Sequence, residues 1–386
     1  MPYRDFRETI MPHCSGLLRL HGALAMSALD GSYRTSYERD IRILTRREPL
    51  GVVAAITPFN FPLALSASKI APALAAGNTV VHKPASDTPL TALALALAQV
   101  ALDAGVPAGV YDLVTGPGGA IGDALVRNPF VEKVAFTGST GVGQDIMSSG
   151  AATMKHLTME LGGKSPNIIF ADADIDAAVQ AAFWGIFWNK CEVCVAGSRL
   201  LVERACYDKV VEKLSRLAMD AVLGDPLDAA TQVGPIASRS EYDKVLRYVE
   251  DGKATARLTA GGGTRRINGK GLFIEATVFA DATNDLKISR EKIFGPVIPV
   301  IPFEGEEEAV RIANDTPYGL ASGIQTGDLR LADRIKAGTV WLNTWHKYHP
   351  NAPFGGYKMS GYGREQGRKA WESYTQYKTI WANLAP

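Results

Sequence analysis

The chain has 386 residues, 46% hydrophobic and 21% charged, the balance of an ordinary folded protein, so wholesale disorder is excluded. Lys and Arg number 41 against 40 Asp and Glu; a net charge of +1 leaves no basic excess for phosphate backbones and excludes nucleic-acid binding as the main role. No apolar run reaches the ~18 residues of a membrane span, and the four irregularly spaced cysteines (Cys14, Cys191, Cys194, Cys206) suit a reducing cytoplasm better than a disulfide scaffold.

Along the chain, short apolar runs alternate with helical patterns. Residues 51–57 (GVVAAIT) read as a strand, and Pro62 opens a helix that Gly77-Asn78 stops. Residues 79–82 are the next strand; 88–103 form an Ala/Leu-rich helix, its stretch 90–101 reading as buried; strands follow at 111–115 and 133–137. This alternation argues for βαβ units and a mostly parallel sheet with helices on both faces. A second α/β region follows. It has strands at 165–170 and 199–203, a helix at 174–189, and two charged helices near 206–220 and 238–252. Further strands recur near 272–279, 297–302, 321–325 and 339–342, and Gly261-Gly262-Gly263 reads as a surface turn. Segments 32–45 and 373–381 stand apart. Polar, strand-like and rich in Tyr, Thr and Ser, they suit an exposed ribbon that pairs with another subunit.

Five places could carry chemistry. Cys194 lies just past a helix and just before a strand, among small neighbours that let a substrate reach the sulfur. It is a nucleophile if a base or a positive dipole lies near, and a buried structural cysteine otherwise. Cys191-x-x-Cys194 has redox spacing, but it follows a helix instead of opening one. Zinc has no support: His346 and His349 are the only close His pair, and no second Cys pair exists. Glu160 ends an apolar strand before Gly162-Gly163, where poor solvation raises a carboxyl toward general-base range, unless it reaches solvent. Gly138-Ser139-Thr140-Gly141-Val142-Gly143 is a strand-to-helix turn whose N–H groups suit an anion, though its spacing is not the Rossmann fingerprint. Asn60, between Pro58 and Pro62, is either a preorganised oxyanion donor or a plain turn.

Together these pieces resemble the aldehyde dehydrogenase superfamily. The resemblance runs from about residue 5 to the end. It is carried, in the family's order, by Pro58-Phe59-Asn60-Phe61-Pro62, Lys83-Pro84, Phe136-Thr137-Gly138-Ser139-Thr140, Glu160-Leu161-Gly162-Gly163-Lys164, Cys194 with Ala196-Gly197-Ser198-Arg199, Glu291 with Phe294-Gly295-Pro296, and Pro353-Phe354-Gly355-Gly356-Tyr357-Lys358. The family implies an α/β fold. It has a doubly wound Rossmann-like dinucleotide domain (1–31 and 49–162), an α/β catalytic domain (163–372) and an oligomerisation ribbon (32–48 and 373–386). Three departures stand out. Relatives usually carry a further N-terminal segment, Cys191 stands where Gly is usual, and Glu192 replaces the commoner Gln.

By resemblance the chain oxidises an aldehyde to the acid with NAD or NADP. Cys194 attacks, the Asn60 amide and the Cys194 backbone N–H hold the oxyanion, Glu160 activates water, and Lys69 belongs to the proton relay. The cofactor falls to Thr57, Phe59, Lys83, Ser86, Gly138, Ser139, Gly143, Leu161, Glu291 and Phe294, with Glu291 on the nicotinamide ribose. Ser86, where NAD-preferring relatives often have Glu, favours acceptance of NADP. Leu65, Ser68, Trp188, His346 and Tyr348 line the substrate tunnel, while Phe183, Trp184 and Phe187 read as core. Ser68, small where relatives carry an aromatic, favours medium or aromatic aldehydes. Cys191 either fills the Gly position unpaired or forms a disulfide with Cys194. The implied partners are an aldehyde and further copies of the chain, as dimer or tetramer. The alternatives are a coenzyme-A-acylating aldehyde dehydrogenase, against which Glu160 stands, and an inactive truncated binding subunit.

Overall fold

Alternating β-branched and alanine runs form the strands that the pattern predicts, because such residues pack on both faces of a sheet covered by helices. The computed structural model describes residues 1–27, 29–89 and 92–385. Leu90 and Thr91, in the helix expected over 88–103, lie outside the described residues; the helix is present as Ala92–Asp103. Two units are distinguished: Ile10–Glu160 with His349–Phe354 and Gly363–Pro386, and Leu161–Tyr348 with Met1–Thr9 and Gly355–Tyr362. The first nine residues thus fall in the unit of Cys194, and 363–372 in the unit of the ribbon.

In the unit of Glu160, parallel strands stand in the spatial order His156–Glu160, Val131–Thr137, Val52–Ile56, Thr79–Lys83, Tyr111–Leu113. The chain winds outward from Val52–Ile56 and then returns to its other side. The order therefore reverses between Val52–Ile56 and Val131–Thr137. In open α/β sheets, ligands bind outside the carboxyl ends of the strands at such a switch point. Thr57 and Gly138-Ser139 follow those two strand ends. The helix Pro62–Ala75 starts with Pro at its first turn and contributes Ile70 and Ala73 to a core with Val53, Val80, Ala135 and Tyr374. The same unit holds a three-stranded antiparallel ribbon, Ser32–Thr35, Ile41–Pro49 and Thr375–Asn383, with Tyr33, Tyr377 and Trp381 exposed.

The unit of Cys194 is built on a seven-stranded sheet in the order Arg257–Ala260, Thr277–Ala280, Val297–Phe303, Arg199–Glu203, Pro166–Ile169, Ala321–Gln325, Thr339–Leu342. Only the edge strand Arg257–Ala260 runs antiparallel. The segment expected as one strand over 272–279 is two, Lys270–Ile274 and Thr277–Ala280. The glycine run beside it is not a free turn: a Cβ on Gly261, at φ +67°, would lie 2.2 Å from the Ala276 carbonyl.

Arg199 is the buried tie of this unit. Its guanidinium donates to the carbonyls of Lys164 (3.0 Å), Ile312 (3.0 Å) and Ala313 (2.9 Å), and to Asn284 Oδ1 (2.7 Å). Two of those carbonyls belong to the last turn of the helix Gly305–Asn314, which lacks intrahelical donors there. Arg199→Met strips partners from buried carbonyls and is expected to cost about 3 kcal/mol or more. Urea unfolding should show a lowered midpoint at unchanged slope. A loss below about 1 kcal/mol would mean that those carbonyls find other donors.

Candidate active site

Cys194 lies in the loop between the helix Ile175–Phe187 and the strand Arg199–Glu203, half-buried, as the sequence pattern expects. Gly163 makes room for this turn: a Cβ there would meet the Cys194 carbonyl at 2.5 Å. The backbone leading to Cys194 is strained. Asn189, Lys190 and Cys191 all have left-handed backbone, with φ of 46°, 51° and 60°. An L-residue there costs about 1–2 kcal/mol, with Asn the mildest case. The conformation is held by Glu192, which is fully buried: Oε2 pairs with Lys190 Nζ at 2.8 Å, and Oε1 accepts the Ala237 N–H at 2.9 Å. Strain stored next to a reactive group needs such over-determination.

Cys191 thus adopts a left-handed backbone of the kind that favours Gly. No disulfide joins it to Cys194. Burial pushes the Cys191 thiol up to about 12, with Lys164 and Lys292 pulling the other way, so it is inert as a nucleophile. Cys191→Gly is expected to change stability by less than about 1 kcal/mol, strain relief offsetting lost packing, whereas the β-branched Cys191→Val should cost about 2 kcal/mol or more. Thermal unfolding of the two variants checks this; equal losses would show that the positive φ carries no strain.

The same unit gathers the aromatic tunnel candidates. Trp188 packs on His346 with ring centroids 4.7 Å apart, and His346 Nδ1 is hydrogen-bonded to the Tyr348 hydroxyl at 3.1 Å. Burial pushes His346 down to about 3, so the ring is neutral. Burial first, then the Cys194 sulfur, hold the Tyr348 phenol well above its ordinary range. Of the three aromatics expected as core, Phe183 and Phe187 are buried and Trp184 is only half-buried. Leu161 is buried, its N–H donating to Ser360 O at 3.0 Å. Glu291 is exposed and accepts the Tyr248 hydroxyl at 2.6 Å. Its neighbour Lys292, which the sequence reading passed over, is the side chain turned inward. The Lys292 ammonium lies 4.5 Å from the Phe294 ring centroid, and the Cys194 and Cys191 sulfurs act on it. Burial lowers its pKa.

The other unit holds a cluster of buried charged side chains. Glu160 is 3% exposed, and neither carboxylate oxygen has a hydrogen-bond partner. Burial, and then the negative charge of Glu365, push its pKa well above the ordinary value; Lys69 and Arg364 oppose them. Lys69, fully buried, pairs with Glu365 Oε1 and donates to Thr137 Oγ1 at 2.6 Å. Ser68 is buried too, and its hydroxyl donates to Glu365 Oε2 at 2.7 Å. Glu365 is the residue that sequence reasoning missed. It is a lone carboxylate in a Gly-rich loop, and only the fold brings it to Lys69.

At the switch point, Ser139 caps the helix Thr140–Gly150, accepting the Val142 N–H at 3.4 Å. That helix has no acidic residue in its first turn, so its N-terminus fits an anionic pyrophosphate. Thr57 is buried and hydrogen-bonded to His82 Nε2 at 3.0 Å. Lys83 is buried, with Nζ on the Pro84 carbonyl at 2.9 Å, and the Ser86 hydroxyl donates to the Gly116 carbonyl at 3.0 Å. Gly143 lies in the second turn of the helix and is buried. Phe59, Asn60 and Leu65 are half-buried around the start of Pro62–Ala75.

The family model described as "Aldehyde dehydrogenase family" matches residues 2–380. The chain belongs to the aldehyde dehydrogenase family. It is 45% identical over 371 residues to an aldehyde dehydrogenase of Aspergillus niger, covering 95% of this chain and 74% of that protein. It is 46% identical over 347 residues to a betaine aldehyde dehydrogenase of Brucella anthropi, covering 88% and 71%. Among solved structures, the NAD+ complex of the Bacillus cereus aldehyde dehydrogenase superposes with a TM-score of 0.96 at 42% identity, over 100% of this chain and 78% of that one. An indole-3-acetaldehyde dehydrogenase in complex with NAD+ gives 0.95 at 41%, over 99% and 78%. The mixed α/β architecture is thus the family's own.

Proposed function

We propose that the chain oxidises an aldehyde to a carboxylate with NAD or NADP and releases the acid by hydrolysis. The observation that carries the hydrolytic part is Glu160: a buried carboxyl, free of hydrogen-bond partners and raised in pKa, beside the Lys69–Glu365 pair. A carboxyl raised in this way binds a proton more readily than an ordinary carboxylate, as a general base must.

When bound, the oxidised nicotinamide supplies the hydride acceptor. The Ser139 helix N-terminus would hold the pyrophosphate, with Thr57, Phe59 and Gly138 around it, Lys83 and Ser86 toward the adenosine, and Leu161 and Phe294 toward the nicotinamide. The chain's own residues do the rest. The Cys194 thiolate bonds to the carbonyl carbon, and the π pair moves to oxygen, where the Asn60 amide and the Cys194 N–H receive it. One such donor is worth ~10²–10³ in rate. Loss of hydride leaves a thioester on Cys194. Glu160 takes a proton from water, the hydroxide adds to the thioester carbon, and the C–S bond breaks with its electrons returning to sulfur. The proton on Glu160 passes on to the Lys69–Glu365 pair, which Ser68 and Thr137 hold in place. The exposed aromatics of the ribbon, Tyr33, Tyr377 and Trp381, support assembly of like subunits through that element.

The test is a panel of aldehydes with NAD and with NADP, with and without coenzyme A, assayed for reduced cofactor and for acid product. Medium and aromatic aldehydes should exceed acetaldehyde in kcat/KM. Acyl-coenzyme A as the main product would overturn the hydrolytic reading; no turnover with any aldehyde would overturn the reading as a whole.

A further inference from the structure

We propose that the buried Lys190–Glu192 ion pair is a positioning device for the nucleophile: it holds residues 189–191 in left-handed backbone and so sets where the Cys194 sulfur and backbone N–H stand for attack. The inference rests on Cys194 as the nucleophile of aldehyde oxidation and adds the residues that aim it.

Asn189, Lys190 and Cys191 follow one another at φ of 46°, 51° and 60°. L-residues in succession in that region need outside restraint, because each relaxes to the right-handed or extended region when released. The restraint is a closed set of contacts among residues 189–192. Lys190 Nζ donates to Asn189 Oδ1 at 3.0 Å and pairs with Glu192 Oε2 at 2.8 Å. The Glu192 N–H donates to the Asn189 carbonyl at 3.0 Å, and Asn189 Nδ2 donates to the Glu192 carbonyl at 3.4 Å. Lys190 and Glu192 are both buried, so each charge is costly anywhere but beside the other. Glu192 Oε1 accepts the Ala237 N–H at 2.9 Å. Ala237 precedes Ser238, the cap of the helix Arg239–Thr255. Glu192 thus ties the loop to the start of a long helix, where negative charge is favoured.

That cluster lies on the N-terminal side of Cys194. On the C-terminal side the backbone is fixed separately. The Ala196 N–H donates to the Val193 carbonyl at 3.2 Å, the Gly197 N–H donates to the Gly185 carbonyl at 2.9 Å, and Gly163 leaves room for the Cys194 carbonyl. Cys194 is held between these two anchors. The direction of its N–H, the proposed oxyanion donor, follows from the turn at 189–192. Neither Lys190 nor Glu192 bonds to substrate, so both act through the backbone. A misplacement of about 1 Å at a reacting atom costs about 10²-fold in rate. The loop conformation that the pair maintains is therefore what the reaction reads.

The test is the single-turnover rate of cofactor reduction, with enzyme in excess of an aromatic aldehyde and saturating NAD, which reports attack and hydride loss alone. Glu192→Asp keeps the charge but is too short to reach Lys190 and Ala237 together. It should slow that step by about 10²-fold, while urea unfolding shows the variant folded. Cys191→Gly added to it should recover about tenfold or more, because Gly takes positive φ without strain and needs less restraint. Lys190→Met, which cuts the pair from the other side, carries the same test if Glu192→Asp does not fold. A folded Glu192→Asp within about threefold of the wild-type rate would overturn the proposal, being too small a loss for a misplaced nucleophile. A slowed rate that Cys191→Gly leaves unchanged would overturn it too, since the pair would then not act through the left-handed backbone. No cofactor reduction by the wild type with any aldehyde would instead overturn the nucleophile reading on which the proposal rests.

Discussion

Cys194→Ala is expected to bring aldehyde-dependent cofactor reduction down by about 10⁴-fold or more, to background. The sulfur is the only atom of the protein that bonds covalently to substrate in the proposed sequence, and the neighbouring thiol does not replace it. Cys191, three residues away, is buried with its thiol pushed up to about 12, so it supplies no thiolate at neutral pH. The fold should not suffer. Cys194 is half-buried, and the loop is held by Glu192, Lys190 and the Ala237 N–H instead. A small surface-adjacent truncation of this kind stays within about 0.5 kcal/mol. Dinucleotide binding should persist as well, because the Ser139 helix terminus and the Thr57 strand end belong to the other unit. Three measurements belong together: turnover, thermal unfolding, and quenching of protein fluorescence by NAD. An Ala variant with more than a hundredth of wild-type turnover would refute the nucleophile assignment.

How far the sequence alone reaches can be judged from particular residues. Strands at Val52–Ile56, Thr79–Lys83 and Val131–Thr137 were legible because buried parallel strands are short apolar runs between turn signals. Cys194 and Glu160 stand out in the sequence as candidates because each sits at an element boundary among small residues. Glu365 was not. Its partners Ser68 and Lys69 lie 297 and 296 residues earlier, and no local pattern marks a lone Glu whose importance comes from tertiary pairing. Glu291 and Lys292 show the opposite difficulty. Adjacent in sequence, they point to opposite environments, one to Tyr248 at the surface and one toward the two cysteines. A single residue of register decides which charge faces the site, and spacing fixes register poorly in a loop. The left-handed run Asn189–Cys191 was hidden too, since only one of its residues is a type that favours that conformation.

Glu160→Gln separates activity from stability and so tests the base directly. Turnover should fall by ~10²–10⁴-fold, the usual worth of a positioned base. The first half of the reaction should survive, because Cys194 still attacks and hydride is still lost. The variant should therefore release one equivalent of reduced cofactor in a burst and then stall as the thioester, visible as an acyl adduct on Cys194 by mass spectrometry. In the wild type, hydrolysis should weaken as pH falls through the raised Glu160 pKa, since the base must be ionised to act. Stability moves the other way. A carboxyl whose pKa is raised by burial, and then by Glu365, keeps its proton in the native state after the unfolded chain has lost it. Its contribution is fully present below the unfolded value of ~4.3 and is lost as pH rises through the native value. Gln carries no such proton, so the variant should gain on the wild type with rising pH, by up to about 1.4 kcal/mol per unit inside that window. Denaturant midpoints of both proteins across the pH range give the gap. A gap that stays flat, or a variant that turns over without a burst, would mean that Glu160 is neither the buried acid nor the base that the geometry describes.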